Sequence, residues 1–378
     1  MKYALANPIK RIKREIVAPQ FKITKQIIGN LYSFKNFLIG RNHKKYNKGV
    51  FVWDVRSNSV TFDFAYYILQ IVNQFNQIGY KSFDLILFCS PRLLAKGASC
   101  DWNEYNKFVS NEEILSKIEK IILKLANLFE YIDDIKLINT KQELLNLTKD
   151  SFILPKNYDP TFFYPEGLNY KYLFSKLMDE EEIKVPFLKL NPKCFKKEYT
   201  ELYKSKYITL TLRDYGFEPM RNTKQTDIDI ALKLSKRHSA ELVIIPDNID
   251  LIEQYEIPDS VQVIKSARED LLLRIGIYSK SIVNIFTTSG PSILPLFIKR
   301  SKMIVLRVAC GCDGDNVNLY KKTLGISPGD QPLLRLGGYY LWNDLFNNID
   351  ENTLDFAFKK ISDYSQEKNL KIGINEIN

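Results

Sequence analysis

Histidine is almost missing from this chain. His43 and His238 are the two in 378 residues. A histidine-built metal centre or a Ser-His-Asp triad is therefore disfavoured, and no zinc or other metal is expected. Cysteine is scarce and scattered. Cys89, Cys100, Cys194, Cys310 and Cys312 form an odd set, which suits a reducing cytoplasm better than a disulfide framework. The C-x-C pair of Cys310 and Cys312 reads as fortuitous, because no second pair accompanies it. No apolar run approaches the roughly 18–20 residues needed to span a bilayer. The opening "MKYALANPIKRIKREI" has charge but no apolar stretch behind it, so no secretory signal is expected. Two nucleotide motifs are also missing. No G-x-G-x-x-G follows the first strand of either half, which disfavours a dinucleotide oxidoreductase, and no G-x-x-x-x-G-K-[ST] occurs, which excludes a P-loop.

Acidic residues are missing from one segment. Residues 1–48 carry twelve lysines and arginines against Glu15 alone, a net +11, while the rest of the chain is close to neutral. The basic residues alternate with Ile9, Ile12, Ile16, Phe21, Ile27, Phe34 and Phe37. Interleaved apolar and basic side chains suit an anionic membrane surface better than nucleic acid. The plainer reading is a solvated helical extension packed partly on the body.

The body is rich in alternation of strand and helix. "GVFVWDV" (49–55), "FDLILFC" (83–89) and "IKLIN" (135–139) read as buried strands, with helices over 62–80, 112–130 and 141–150. Residues 151–195 are rich in Pro, Tyr and Phe and read as loops and short helices. Strands then return at 207–213, 241–247, 261–267, 281–287 and 302–308, with helices at 226–238, 268–280 and 291–299 and one more near the C-terminus. Continuous apolar strands with helical crossovers predict parallel sheets covered on both faces. The fold class is α/β: a basic arm (1–48), a first doubly wound domain (49–195), a second (196–345) and a helical segment (346–378).

Ligands on such sheets sit at the carboxyl ends of strands. Two loops there carry the chemistry. "LRDYGFEPMRN" (212–222) places Arg213 at a strand end, with Arg221 and Asn222 just before the next helix. Two guanidinium forks on one loop make a clamp for phosphate or carboxylate oxygens; the alternative is ion pairing with Asp214 and Glu218. "TTSGPSILPLF" (287–297) places Thr288, Ser289, Gly290 and Pro291 at a second strand end and a helix start, where bare N–H groups bind anions. Both loops leave the same edge of one sheet. Together they predict a phosphate-bearing ligand.

Carboxylates for proton transfer come next. Asp54, ending the first strand, is the leading base candidate, with Asp214 second; the alternative for Asp54 is a loop cap. Asp63 reads as a first-turn carboxylate favoured by the helix dipole, and Glu269 likewise. Asp247 follows "ELVIIP" and is a candidate for a nucleotide ribose or base contact. Trp342, Asn343 and Asp344 are placed as possible cleft residues.

With "TTSGPSILPLF", "ITLTLRDYGFEPMRN" and "VWDVRSNSVTFDF" read, the chain resembles GT-B glycosyltransferases of bacterial surface-polysaccharide loci. The Ser-Gly-Pro turn is similar to that of heptosyltransferase-like enzymes. The resemblance spans about 49–378. It implies two tandem Rossmann-like domains, a nucleotide-sugar donor on the second and an acceptor on the first. It further implies transfer to a cell-surface glycan (lipopolysaccharide, O-antigen or capsule) at the cytoplasmic face of the inner membrane, with no cofactor, no catalytic metal and no specific nucleic acid. A nucleotide-sugar epimerase of the same architecture, which needs no basic arm, and a non-catalytic nucleotide-sugar-binding protein are the alternatives.

Overall fold

The structure, a computed structural model, describes residues 48–55, 58, 60–89, 111–155, 158, 170–178, 183–216, 218–247, 252–313, 315–343, 345 and 349–375. The basic arm before Lys48, Cys100 and Asp344 lie outside these residues.

Two parallel sheets carry the molecule. In the first, β1 (Gly49–Asp54), β2 (Phe83–Phe88), β3 (Ile132–Ile138) and β4 (Phe152–Leu154) stand in the order β3-β2-β1-β4, every pair parallel. The connections are α1 (Phe64–Gln77), α2 (Asn111–Lys117, continued through Ile118–Leu123 and Lys124–Ala126) and α3 (Lys141–Thr148). Every residue of β1 and β2 is buried, as their unbroken apolar runs require of strands covered on both faces. β4 falls in the stretch read as loop from sequence. Three residues stopping just before Pro155 are too short to show a period, and pairing with β1 alone defines the strand.

After α4 (Tyr170–Met178), the second sheet comprises β5 (Tyr207–Leu212), β6 (Glu241–Pro246), β7 (Gln262–Val263), β8 (Asn284–Thr287), β9 (Met303–Val308) and β10 (Gly338–Trp342), in the order β10-β9-β8-β5-β6-β7. The helices α5 (Gln225–Arg237), α6 (Leu271–Lys280) and α7 (Glu351–Asn375) complete this half. Leu354, Ala357 and Ile361 seat α7 in the same apolar cluster as β5 and α5. The strand expected over 261–267 shrinks to two residues, because a 3₁₀ turn follows at Lys265–Arg268. The α6 start is set by Asp270, whose carboxylate accepts the Leu272 and Leu273 N–H groups at 3.0 and 3.2 Å. Trp342, whose side the sequence leaves open, is fully buried in β10, its Nε1 donating to the Asp330 carbonyl at 2.9 Å. Neighbouring Asn343 continues β10's backbone pairing by donating its N–H to the Val308 carbonyl.

The residues after β8 were expected to form an α-helix over 291–299. They form a 3₁₀ helix, Gly290–Phe297. Pro295 explains the difference: it has no N–H to donate and its ring would meet the carbonyl four residues back in α geometry. This helix packs on α1, with the Phe297 ring against Tyr66 (6.2 Å) and Phe129 (5.9 Å), and the Phe297 carbonyl accepting the Leu188 N–H at 2.8 Å. A single apolar cluster accordingly runs from Phe51 and Trp53 of the first sheet to Trp342 of the second.

Candidate functional site

Strand order decides where a ligand can sit. In the second sheet the chain moves outward from β5 through β6 to β7, then returns to the other side of β5 with β8. The loops after β5 and β8 therefore leave in opposite directions and open a crevice between them. Those are the arginine loop and the Thr288 turn. In the first sheet the same reversal lies between β1 and β4, so the loops carrying Asp54 and Tyr158 flank the corresponding crevice.

The arginine loop is built as a tight unit. Arg213 and Thr223 exchange hydrogen bonds across its neck: the Arg213 N–H donates to Thr223 Oγ1 and the Thr223 N–H to the Arg213 carbonyl, both at 2.9 Å. Glu218 takes a left-handed conformation (φ 51°) and starts a 3₁₀ turn over Pro219–Arg221. The Asn222 side chain staples the interior. Its Nδ2 donates to the Tyr215 carbonyl at 3.0 Å and to Asp214 at 3.2 Å, while its Oδ1 accepts from the Tyr215 N–H and from Arg213. Arg307, from β9, ties the loop to α5: it donates to both oxygens of Asp227 at 2.5 Å and to the Asn222 carbonyl at 2.7 Å.

The two arginines have different surroundings. Arg213 is 4% exposed. One of its terminal nitrogens donates to the Glu218 carbonyl and Asn222 Oδ1, and its guanidinium lies over the Tyr215 ring at 5.5 Å. Burial, and then the neighbouring Arg221 charge, lower its pKa. Arg221 pairs with Glu218 at 2.5 Å and also crosses the crevice. Its Nε donates to the Thr288 carbonyl at 2.9 Å, with Thr288 Oγ1 at 3.3 Å. Arg221 thus makes the ion pair with Glu218 that the alternative foresaw, and it also reaches the Thr288 turn.

Asp214 turns away from that turn. Its carboxylate accepts from Asn222 and from Gln254, on the β6 side of β5, and burial raises its pKa. Asp247 is buried at the end of β6, one oxygen accepting from Arg274 of α6 at 2.9 Å and the other without a hydrogen-bond partner. Burial raises the Asp247 pKa against the opposing charge of Arg274. Glu269, read as a helix-dipole partner, spans the two halves instead, accepting from Lys120 at 2.8 Å.

At the turn itself, Thr288 Oγ1 donates to Asp315 at 2.7 Å. Asp315 is 1% exposed and also accepts the Ala309 N–H at 3.0 Å. Ser292 Oγ donates to the Ser289 carbonyl at 2.6 Å, while Ser289 Oγ is buried without a partner. Pro291 occupies the first helical turn, where its missing N–H is tolerated. What Gly290 admits is a ring from the first half: a Cβ there would stand 3.0 Å from Phe62 Cδ2.

Phe62 brings its neighbour with it. Asp63 immediately precedes α1, and Thr61 Oγ1 donates to its Oδ2 at 3.2 Å. Burial raises its pKa; the Thr61 hydrogen bond, the Arg221 charge and a Tyr170 hydrogen bond each pull it back. Asp63 therefore lies in the field of Arg221, beside the Thr288 turn. Sequence reading assigned it a helix-dipole role, since nothing in "VTFDFAYY" reports which loop of another sheet it will face. Asp54, the leading base candidate, is wholly buried, with Tyr158 Oη donating to its Oδ2 at 2.8 Å and Asn58 Nδ2 to its carbonyl. A carboxylate so enclosed braces the β1 and β4 loops. Asp315, Arg274 and Arg307 were missed because their partners lie far away in sequence. Among the described residues no cluster of three or more His, Cys, Asp or Glu is placed to hold a metal, and no helix is long and apolar enough to cross a membrane.

No family model and no curated protein matches the chain by sequence. Solved structures do match it. A glycosyl transferase of family 9 from Veillonella parvula superposes with a TM-score of 0.51 at 10% identity, covering 84% of this chain and 97% of that one. The fold is of the GT-B type. The E. coli heptosyltransferase WaaC matches with a TM-score of 0.36 at 8% identity, over 84% of this chain and 99% of its own. A UDP-GlcNAc 2-epimerase from Methanocaldococcus jannaschii matches at 0.33 and 11% identity, over 83% and 91%. In this GT-B fold the arginine loop and the Thr288 turn both belong to the second sheet, and Asp63 reaches them from the first.

Proposed function

We propose that the protein is a glycosyltransferase that moves a sugar from a nucleotide-sugar donor to a cell-surface glycan. Arg221 carries the reading, because its hydrogen bonds to Thr288 join two loops at the switch point of the second sheet. Arg213 and Arg221 stand close enough for one charge to depress the pKa of the other. An anion received between them relieves that repulsion, and the donor diphosphate is the anion the fold suits. The donor lies on the second domain (196–345) and the acceptor on the first (49–195). As the acceptor oxygen bonds to the anomeric carbon, Asp63 takes its proton and the nucleoside diphosphate leaves, its charge stabilised by the two guanidinium groups and the N–H groups of the Thr288 turn. The surface-glycan acceptor and the location at the inner membrane rest on the resemblance of "TTSGPSILPLF" and on the basic arm, which brings the enzyme to an anionic leaflet.

Calorimetric titration with nucleoside diphosphates and with CMP tests the donor site. The cognate nucleotide binds, and Arg213→Ala weakens it by about 1.5–3 kcal/mol, the loss of a charge-assisted contact. Absence of binding by every nucleotide would remove the reading. Incubation of the matching nucleotide sugar without acceptor separates the alternatives: a change of sugar configuration with no transfer would assign an epimerase instead.

A further inference from the structure

Cys310 and Cys312 follow β9 and do not enter the reaction above. Their sulfurs lie 3.7 Å apart, Cys310 Sγ donating towards Cys312 Sγ. Gly311 between them has φ +100°, a conformation that L side chains rarely adopt, and this bend turns both thiols to one side. The turn is closed by Asp315: the Gly311 N–H donates to its carbonyl at 2.8 Å, and its own N–H donates to the Cys312 carbonyl at 3.1 Å. Both thiols are partly exposed, whereas Cys89 and Cys194 are buried. The same Asp315 holds Thr288 by its side chain, and Met220 of the arginine loop packs on the turn, its Cε 3.9 Å from where a Gly311 Cβ would stand.

We propose that Cys310 and Cys312 form a redox-active dithiol that exchanges with small-molecule disulfides, and that its closure weakens the anion site. Burial, and then the Asp315 carboxylate, push the Cys310 thiol well up, which leaves Cys312 as the first nucleophile. It attacks one sulfur of the small disulfide, breaking that bond and releasing one thiolate. Cys310 then loses its proton and attacks the Cys312 sulfur, which expels the second thiolate. Two electrons pass to the small disulfide, and two protons end on the released thiols. An S–S bond is about 2.05 Å long, so closure draws the two sulfurs together and loads the turn that carries them. Asp315 is fixed to that turn through its backbone and to Thr288 through its carboxylate. Closure therefore pulls on Thr288, and through it on Arg221.

The experiment equilibrates the full chain in reduced and oxidised glutathione and maps peptides by mass. A Cys100→Ser background keeps the remaining cysteine out of the exchange. An internal Cys310–Cys312 disulfide is expected, reversed by dithiothreitol. Persistent single glutathionylation, or no thiol loss, would overturn the dithiol. The coupling rests on the donor-site reading and is measured separately, as nucleoside diphosphate affinity in the two redox states. Oxidation should weaken binding about tenfold, the scale of one lost hydrogen bond to a carboxylate, and a Cys310→Ser/Cys312→Ser variant should not respond. Equal affinity in both states would remove the coupling. Failure of the reduced protein to bind any nucleotide would instead overturn the donor site, leaving the mass map to decide the dithiol.

Discussion

Asp63 shows how a single side chain acquires a role from what surrounds it. Its pKa is raised, chiefly by burial, so the folded protein holds the proton more firmly than the unfolded chain does. The stability this gives is present below the ordinary carboxylate pKa and is lost as pH rises through the folded value. Above its folded pKa the ionised group is a burden on the fold, one that the proposed role as base would require. Asp63→Asn should lower turnover by about 10²–10⁴ while raising the melting temperature. In the unmodified enzyme the rate should rise with pH through a pKa above that of a free aspartate, because the base works deprotonated. Steady-state rates across pH, with thermal melts of both proteins, measure these together. A variant of unaltered rate would move the base elsewhere. Asp54 contrasts with it: tied to Tyr158 and wholly buried, it braces two loops of the first sheet.

Elements meet closely where the chain passes from one sheet to the other. The turn Pro192–Cys194 lies directly on α6 at Gly276. A Cβ on Gly276 would fall 1.8 Å from the Cys194 carbonyl oxygen, and a backbone carbonyl cannot rotate away as a side chain can. Gly276→Ala must push the connection off the helix, although alanine is the better helix former. A loss of about 1–3 kcal/mol is expected, the usual scale of overpacking. Gly216→Ala serves as the control, since no described atom lies within 4 Å of its Cβ. Urea unfolding of both variants measures the difference; equal midpoints would show that the connection moves freely. The 3₁₀ helix after Gly290 follows the same logic, its geometry set by Pro295 and its packing by Phe62 and α1.

At the scale of the whole molecule, charge is divided unevenly: +11 on residues 1–48 and near neutrality beyond. A neutral body bearing a basic, apolar-studded arm is suited to a surface of anionic lipid. Each basic residue near such a surface contributes about 1 kcal/mol. Deleting residues 1–47 should abolish co-sedimentation with phosphatidylserine-containing vesicles and leave nucleotide affinity in place. Undiminished sedimentation of the truncated chain would refute a membrane role for the arm. The continuous core joining the sheets also predicts that the two halves unfold together, unlike domains on a flexible tether.

Local chemistry alone determined much of this protein. Apolar runs such as "YITLTL" and "FDLILF" must be buried on both faces, so they dictate parallel strands, and the order of strands and helices dictates two α/β halves. The strand-end positions of Arg213 and Thr288 were legible for the same reason. β4 and β10 were not, because a short strand is defined by its neighbour's hydrogen bonds more than by its own sequence. The base shows the same limit. Asp54 ends β1 and Asp63 precedes α1, each between apolar neighbours, yet one is enclosed under Tyr158 and the other lies in the field of Arg221 from a different sheet. Contacts such as Tyr158 with Asp54 and Phe62 with Gly290, each between residues over a hundred positions apart, arise only when the chain packs, and they decide which carboxylate is enclosed and which stands beside the arginine loop.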